Sequence, residues 1–118
     1  MLLLGLASVT FRERSVPDVV RLAVDAGSEV VEWAGDRHVR PGDRAAASAA
    51  RGACAGAGLR IGTYGSYHKA GASDPGEFDA VVATAAELGA PRVRVWAGTA
   101  ASADVSPAGR AATVDALR

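Results

Sequence analysis

Glu32, Asp36 and His38 fall within seven residues, around Trp33 and Gly35, directly after the apolar pair Val30-Val31. A carboxylate and an imidazole can move protons near neutrality or hold hydroxyl groups, and an indole face suits stacking on the carbon face of a sugar. A second group, Tyr64-Gly65-Ser66-Tyr67-His68-Lys69, gathers two phenols, an imidazole and the only lysine. Trp96 closes a third polar transition after Val93-Arg94-Val95. Singly, each ring reads equally well as a loop or half-buried residue. Both histidines and both tryptophans standing where an apolar run ends is what marks a candidate site.

The elements that would carry these residues repeat. Ala26-Gly27, Ala57-Gly58 and Leu88-Gly89 each close a helical pattern before an apolar run, and the three glycines stand 31 residues apart. Glycine there ends a helix in the left-handed conformation without Cβ strain. Strand one is expected over Leu2–Val9, and Ser15 then caps a helix with Pro17 in its first turn and Asp18 three residues on. Its apolar stripe is Val16, Val19, Val20, Ala23 and Val24, with Arg21 and Asp25 toward water. Strand two is expected over Glu29–Trp33, helix two over Arg44–Ala57 with a face of alanines, and strand three over Leu59–Tyr64. Asp74 with Pro75 and Glu77 marks the start of helix three, whose core face is Phe78, Val81, Val82, Ala85 and Leu88. Pro91–Trp96 reads as strand four, Ala97–Val105 as a loop, and Ser106-Pro107 opens a fourth helix without a stop signal before Arg118.

This is an α/β pattern of four βα units, with connections short enough for right-handed parallel crossovers. Residues 1–118 are expected to be one domain, cut within the fourth helix from something longer. The strands form either an open doubly wound sheet or half of an eight-stranded barrel. Gly5 lies inside the first strand and Ala7-Ser8-Val9-Thr10 follows, so no glycine-rich phosphate fingerprint is present. Thirteen basic and thirteen acidic side chains cancel, which leaves no electrostatic footprint for nucleic acid or an anionic membrane. No apolar run has the length of a membrane span, and Met1-Leu2-Leu3-Leu4 lacks the basic start of a signal peptide. Cys54 is alone in an alanine-rich helix, so it reads as a small buried hydrophobe and the cytoplasm as the expected compartment.

Ser8-Val9-Thr10-Phe11-Arg12, Val31-Glu32-Trp33 with Gly35-Asp36 and His38, Tyr64-Gly65-Ser66-Tyr67, and Arg92-Val93-Arg94-Val95-Trp96-Ala97-Gly98 together resemble the sugar phosphate isomerase/epimerase family. The resemblance implies the N-terminal half of a xylose isomerase-like (β/α)8 TIM barrel. It further implies isomerisation or epimerisation of a sugar by metal-assisted proton transfer next to a carbonyl, with catalytic and metal-binding residues on later strands, beyond residue 118. A divalent metal (Mn, Mg, Zn or Co) is then expected for the complete barrel and none for this chain alone. Glu32, Trp33, His38, Tyr64, Tyr67, His68 and Trp96 are the implied substrate-binding positions. The expected partner is a small sugar or polyol, with no nucleic acid or membrane, and the chain is expected to form a homo-oligomer or to associate through exposed strand edges. Three other readings stay open: a non-catalytic half-barrel that binds a polyol or assembles with another half, an independent four-stranded α/β domain of unrelated function, and a class II AP endonuclease-like phosphodiesterase. The latter resemblance places a metal-binding His where His68 stands, but it lacks its partner after strand four, where the sequence has Trp96-Ala97-Gly98.

Overall fold

Apolar runs separated by glycine-ended helices leave each strand one way to pair, beside its predecessor and in the same direction. The computed structural model, which describes residues 2–118, shows this arrangement. In chain order it has β1 (Gly5–Ala7), a 3-10 turn (Ser8–Phe11), α1 (Val16–Asp25), β2 (Val30–Ala34), α2 (Arg44–Gly56), β3 (Arg60–Lys69), α3 (Glu77–Leu88), β4 (Val93–Trp96) and α4 (Pro107–Ala116). The sheet order is β1-β2-β3-β4 with all three pairings parallel. Gly27, Gly58 and Gly89 take φ of 69°, 72° and 77°, so the first three helices each end on a left-handed glycine. The open doubly wound alternative is not realised: this is an α/β half-barrel of four βα units.

The core lies between the sheet and the first three helices. Val31 and Trp33 of β2 and Tyr64 of β3 are fully buried against Val19 and Ala23 of α1, Ala47, Ala50 and Cys54 of α2, and Val81, Ala85 and Leu88 of α3. The small residues of α2 let the helix approach the sheet closely, at the cost of little apolar area per residue. Burial pushes the Cys54 thiol up, as befits a packing residue rather than a nucleophile. Ser15, Asp43 and Ser106 cap their helices through side-chain oxygens that accept from Asp18, Ala46 and Gly109 amides at 3.3, 2.9 and 3.1 Å.

Several expected boundaries shift. Strand one shrinks to three residues because the chain turns into the 3-10 helix at Ser8, whose buried Oγ accepts from the Ala34 amide at 2.8 Å. Strand two runs one residue later than expected. Strand three continues five residues past Tyr64 to Lys69, so the Tyr-Ser-Tyr-His group rides on a strand rather than a loop. Asp74 does not cap α3; its carboxylate accepts from the Gly76 amide in a tight turn, and the helix starts at Glu77. Val24 and Val82, expected in the core, are exposed.

Candidate functional site

Side chains alternate across a strand, so Val31 and Trp33 face the helices while Val30 and Glu32 face the concave side. Glu32 lines an open groove of about 660 Å³ on that side, with Gly5, Ala7, Val30, Gly62 and Thr63. Glu32 lies opposite Thr63, and Gly62 is the extra residue where the register of β3 shifts. One step on, Gly65 lies opposite Arg94 of β4. Arg94 reaches across β3 to Glu32, Nη2 to Oε1 at 3.4 Å.

Gly65 makes that reach possible. A Cβ there would stand 2.8 Å from Arg94 Nη2 and 2.9 Å from Glu32 Oε1, in the space the two charged ends occupy. The guanidinium also lies by two rings, 5.8 Å from the Tyr67 centroid and 5.5 Å from that of Trp96, and the rings are 6.3 Å apart. Both rings are exposed. At these distances ring and cation attract. Among the described residues Glu32 is the only side chain that accepts from Arg94, which leaves guanidinium donors for the hydroxyl or anionic groups of a ligand. Glu32, Arg94, Tyr67 and Trp96 form one surface near the carboxyl end of the sheet, where α/β folds bind ligands.

The other expected contacts go elsewhere. Trp33 and Tyr64 are fully buried in the helix-side core and offer a ligand no face. The Tyr64 hydroxyl donates to the Val39 carbonyl at 2.7 Å, and burial pushes its pKa up to about 12. His38 also turns away from the groove. Its ring stands edge-on to Trp33 at 5.8 Å, and Nε2 donates to the Arg14 carbonyl at 3.1 Å. Desolvation holds its pKa below the usual imidazole value; the Arg14 carbonyl opposes this, and Arg37 and Arg12 add to it. Asp36 pairs with Arg12, Arg37 Nε donates to the Arg12 carbonyl at 2.7 Å, and Arg37 reaches Glu13 at 3.5 Å. These contacts clasp the loop after β1 to the loop after β2. Arg12 is thus taken up by Asp36, and the partner of Glu32 is Arg94. His68 lies against Phe78 of α3, 4.8 Å between ring centroids, rather than with Tyr67 and Trp96.

No three His, Cys, Asp or Glu side chains converge among the described residues. Glu32, Asp36 and His38 are instead held apart by Arg94, Arg12 and the Arg14 carbonyl. The residue the sequence reading missed is Arg94. Its signal was present: period-two alternation in Val93-Arg94-Val95-Trp96 puts a cation and an indole on one face, opposite two valines.

No family model matches this sequence, and no curated protein matches it. Solved structures do. One, from Rhodospirillum rubrum and assigned as a xylose isomerase, superposes with a TM-score of 0.75 at 20% identity, covering 98% of this chain and 46% of that one. A second is AsbF from Bacillus anthracis, assigned as a 3-DHS dehydratase involved in petrobactin synthesis. It gives a TM-score of 0.76 at 21% identity, again over 98% of this chain and 46% of the other. The likeness establishes the fold: four parallel βα units equivalent to the N-terminal half of a TIM barrel. The chain spans just under half the length of these structures. No helix among the described residues is long and apolar enough to cross a membrane.

Proposed function

We propose that residues 1–118 are the substrate-contacting half of a barrel that isomerises or epimerises a sugar or polyol. The observation that carries this is the surface made by Glu32, Arg94, Tyr67 and Trp96: a charged pair flanked by two exposed rings on the concave face. Rings of this kind cover the C–H face of a sugar while charged groups hold its hydroxyls. That one structural neighbour is assigned as a xylose isomerase supports a sugar as the ligand class.

In this reading Arg94 fixes the orientation of the substrate through its donors, and Glu32 accepts from a hydroxyl while keeping Arg94 in place. Trp96 and Tyr67 exclude water from one side of the bound ring. A divalent metal, which would polarise a carbonyl oxygen when bound, and the proton-transferring carboxylates belong to strands outside these residues. The helix-side position of His68 disfavours the endonuclease-like reading, which needs that imidazole among the metal ligands.

Tryptophan fluorescence of the 118-residue chain tests the proposal against a panel of aldoses, ketoses, polyols and sugar phosphates. Trp96 is exposed and Trp33 buried, so a ligand on this surface gives saturable quenching that Trp96→Ala removes. Quenching by no member of the panel, or quenching that survives Trp96→Ala, overturns the assignment.

A further inference from the structure

β3 and β4 leave register inside the candidate site. Gly65 lies opposite Arg94 and Lys69 opposite Trp96, so four steps along β3 match two along β4, and β3 carries two extra residues. The hydrogen bonds to either side agree. The Tyr64 amide donates to the Arg92 carbonyl at 2.8 Å, and the next pairing beyond the shift is the Ala70 amide with the Trp96 carbonyl, also at 2.8 Å. Extra residues of this kind bend a strand and re-aim its side chains, and they are frequent beside active sites. Here the irregular stretch is Ser66-Tyr67-His68. It sends the Tyr67 ring to Arg94 and Trp96 and the His68 ring to Phe78 on the helix side. It also gives up regular pairing where the rings of the site stand, and those rings, Tyr67 and Trp96, are 39% and 47% exposed. Packing around them is therefore thin, and the backbone beneath has to be held by other means.

We propose that Ser66 is the positioning residue of this site, its hydroxyl fixing where Arg94 and Tyr67 stand relative to one another. Ser66 is fully buried, and its Oγ donates to the Arg94 carbonyl at 2.6 Å. One short hydrogen bond thus ties the start of the irregular stretch to the residue whose guanidinium reaches Glu32. Tyr67 follows Ser66 directly in the chain, so the same bond sets the origin of both side chains that flank the groove. Filling space would need only a methyl group at this position; the O–H donor is what an alanine lacks. Ser66 lies on the buried face and touches no ligand. Its effect on binding comes through the surface it holds ready, because a site already in its bound arrangement pays less to be ordered. The consequence for binding rests on the ligand-surface reading given above, whereas the positioning itself does not.

The test compares Ser66→Ala and Ser66→Cys with Tyr64→Phe, which removes a buried hydrogen bond from the same strand outside the irregular stretch. Nuclear Overhauser effects between the Tyr67 and Trp96 rings, and the Arg94 Nε–H resonance, report the arrangement with no ligand added. In Ser66→Ala the ring-to-ring effects weaken and the Arg94 resonance shifts. Ser66→Cys falls between Ser66→Ala and the parent, because a thiol is a weak donor, and it carries the comparison by itself where Ser66→Ala does not fold. Tyr64→Phe keeps both signals of the parent. Affinity for the best quencher of the sugar panel drops about three- to tenfold in Ser66→Ala, the scale of one neutral hydrogen bond, and not in Tyr64→Phe. Signals in the Ser66 variants identical to the parent overturn the positioning role. Equal changes in Tyr64→Phe overturn it as well, since lost stability alone then accounts for them. A parent that binds no sugar, but whose ring and guanidinium signals still respond to Ser66, overturns the sugar reading and supports the role of Ser66.

Discussion

Adding one methyl group at Gly65 should disconnect the candidate site while sparing the fold. In Gly65→Ala the new Cβ meets Arg94 Nη2 at 2.8 Å and Glu32 Oε1 at 2.9 Å, both too close to persist. Both contacts are the far ends of flexible side chains, so the ends swing apart and the strands stay. The φ of Gly65 is not positive, and alanine there narrows the unfolded ensemble, worth about 0.4–1 kcal/mol in favour of folding. Against this stands the loss of a partly exposed ion pair, worth roughly 0–1 kcal/mol. The two nearly cancel, and the melting temperature should stay within roughly 6 °C of the parent. Ligand affinity should fall about ten- to a hundredfold, the scale of one charge-assisted hydrogen bond. Thermal denaturation by circular dichroism measures the first quantity, fluorescence titration the second, and the Arg94 Nε–H resonance reports whether the guanidinium has moved. A fall in melting temperature beyond roughly 15 °C would show that the space over Gly65 is core packing. An Arg94 resonance unchanged from the parent would refute the reach across β3 on which the site depends.

Three other outcomes follow from the same geometry. Tyr64→Phe leaves the buried Val39 carbonyl without its donor and should cost about 1–3 kcal/mol of stability, read from urea denaturation, with ligand affinity unchanged. Glu32→Gln in a complete barrel should leave the melting temperature nearly unchanged and cut kcat/KM roughly ten- to a hundredfold; equal activity removes Glu32 from the site. The depressed pKa of His38 means that the unfolded chain takes up this proton first as pH falls. Its contribution is therefore complete above the ordinary value of 6.5 and is lost progressively below it, levelling off below the folded pKa. The charges acting on it are Arg12 in the loop after β1 and Arg37 in its own loop. His38→Gln should flatten the fall in stability between about pH 7.5 and 5.5, about one unit either side of an ordinary imidazole; an unchanged profile refutes the assignment.

The repeat was legible because its punctuation is local. Gly27, Gly58 and Gly89 end helices by their own backbone freedom, whatever the rest of the chain does. The extent of β1 was not, because it ends on a long-range contact, Ser8 Oγ with the Ala34 amide. Trp33 and Tyr64 show a different limit. Chemistry-bearing residue types drew them into the candidate site, although alternation along β2 already puts Trp33 with Val31 and opposite Glu32. Period two outweighs residue type there, because one side of a half-barrel sheet is core. Arg94 went unread because an arginine between valines looks like a solvated strand face. Only the absent side chain of Gly65 on the neighbouring strand, together with the register, shows where it reaches.

Chemical-shift mapping of the 15N-labelled chain against the best quencher of the sugar panel tests the central claim most directly. The account predicts saturable shifts at Glu32, Gly65, Tyr67, Arg94 and Trp96, with His38 and the amides of α2 unmoved. Shifts confined to the crevice beside His68, Phe78 and Leu117, or to the loops that His38 clasps, would contradict it.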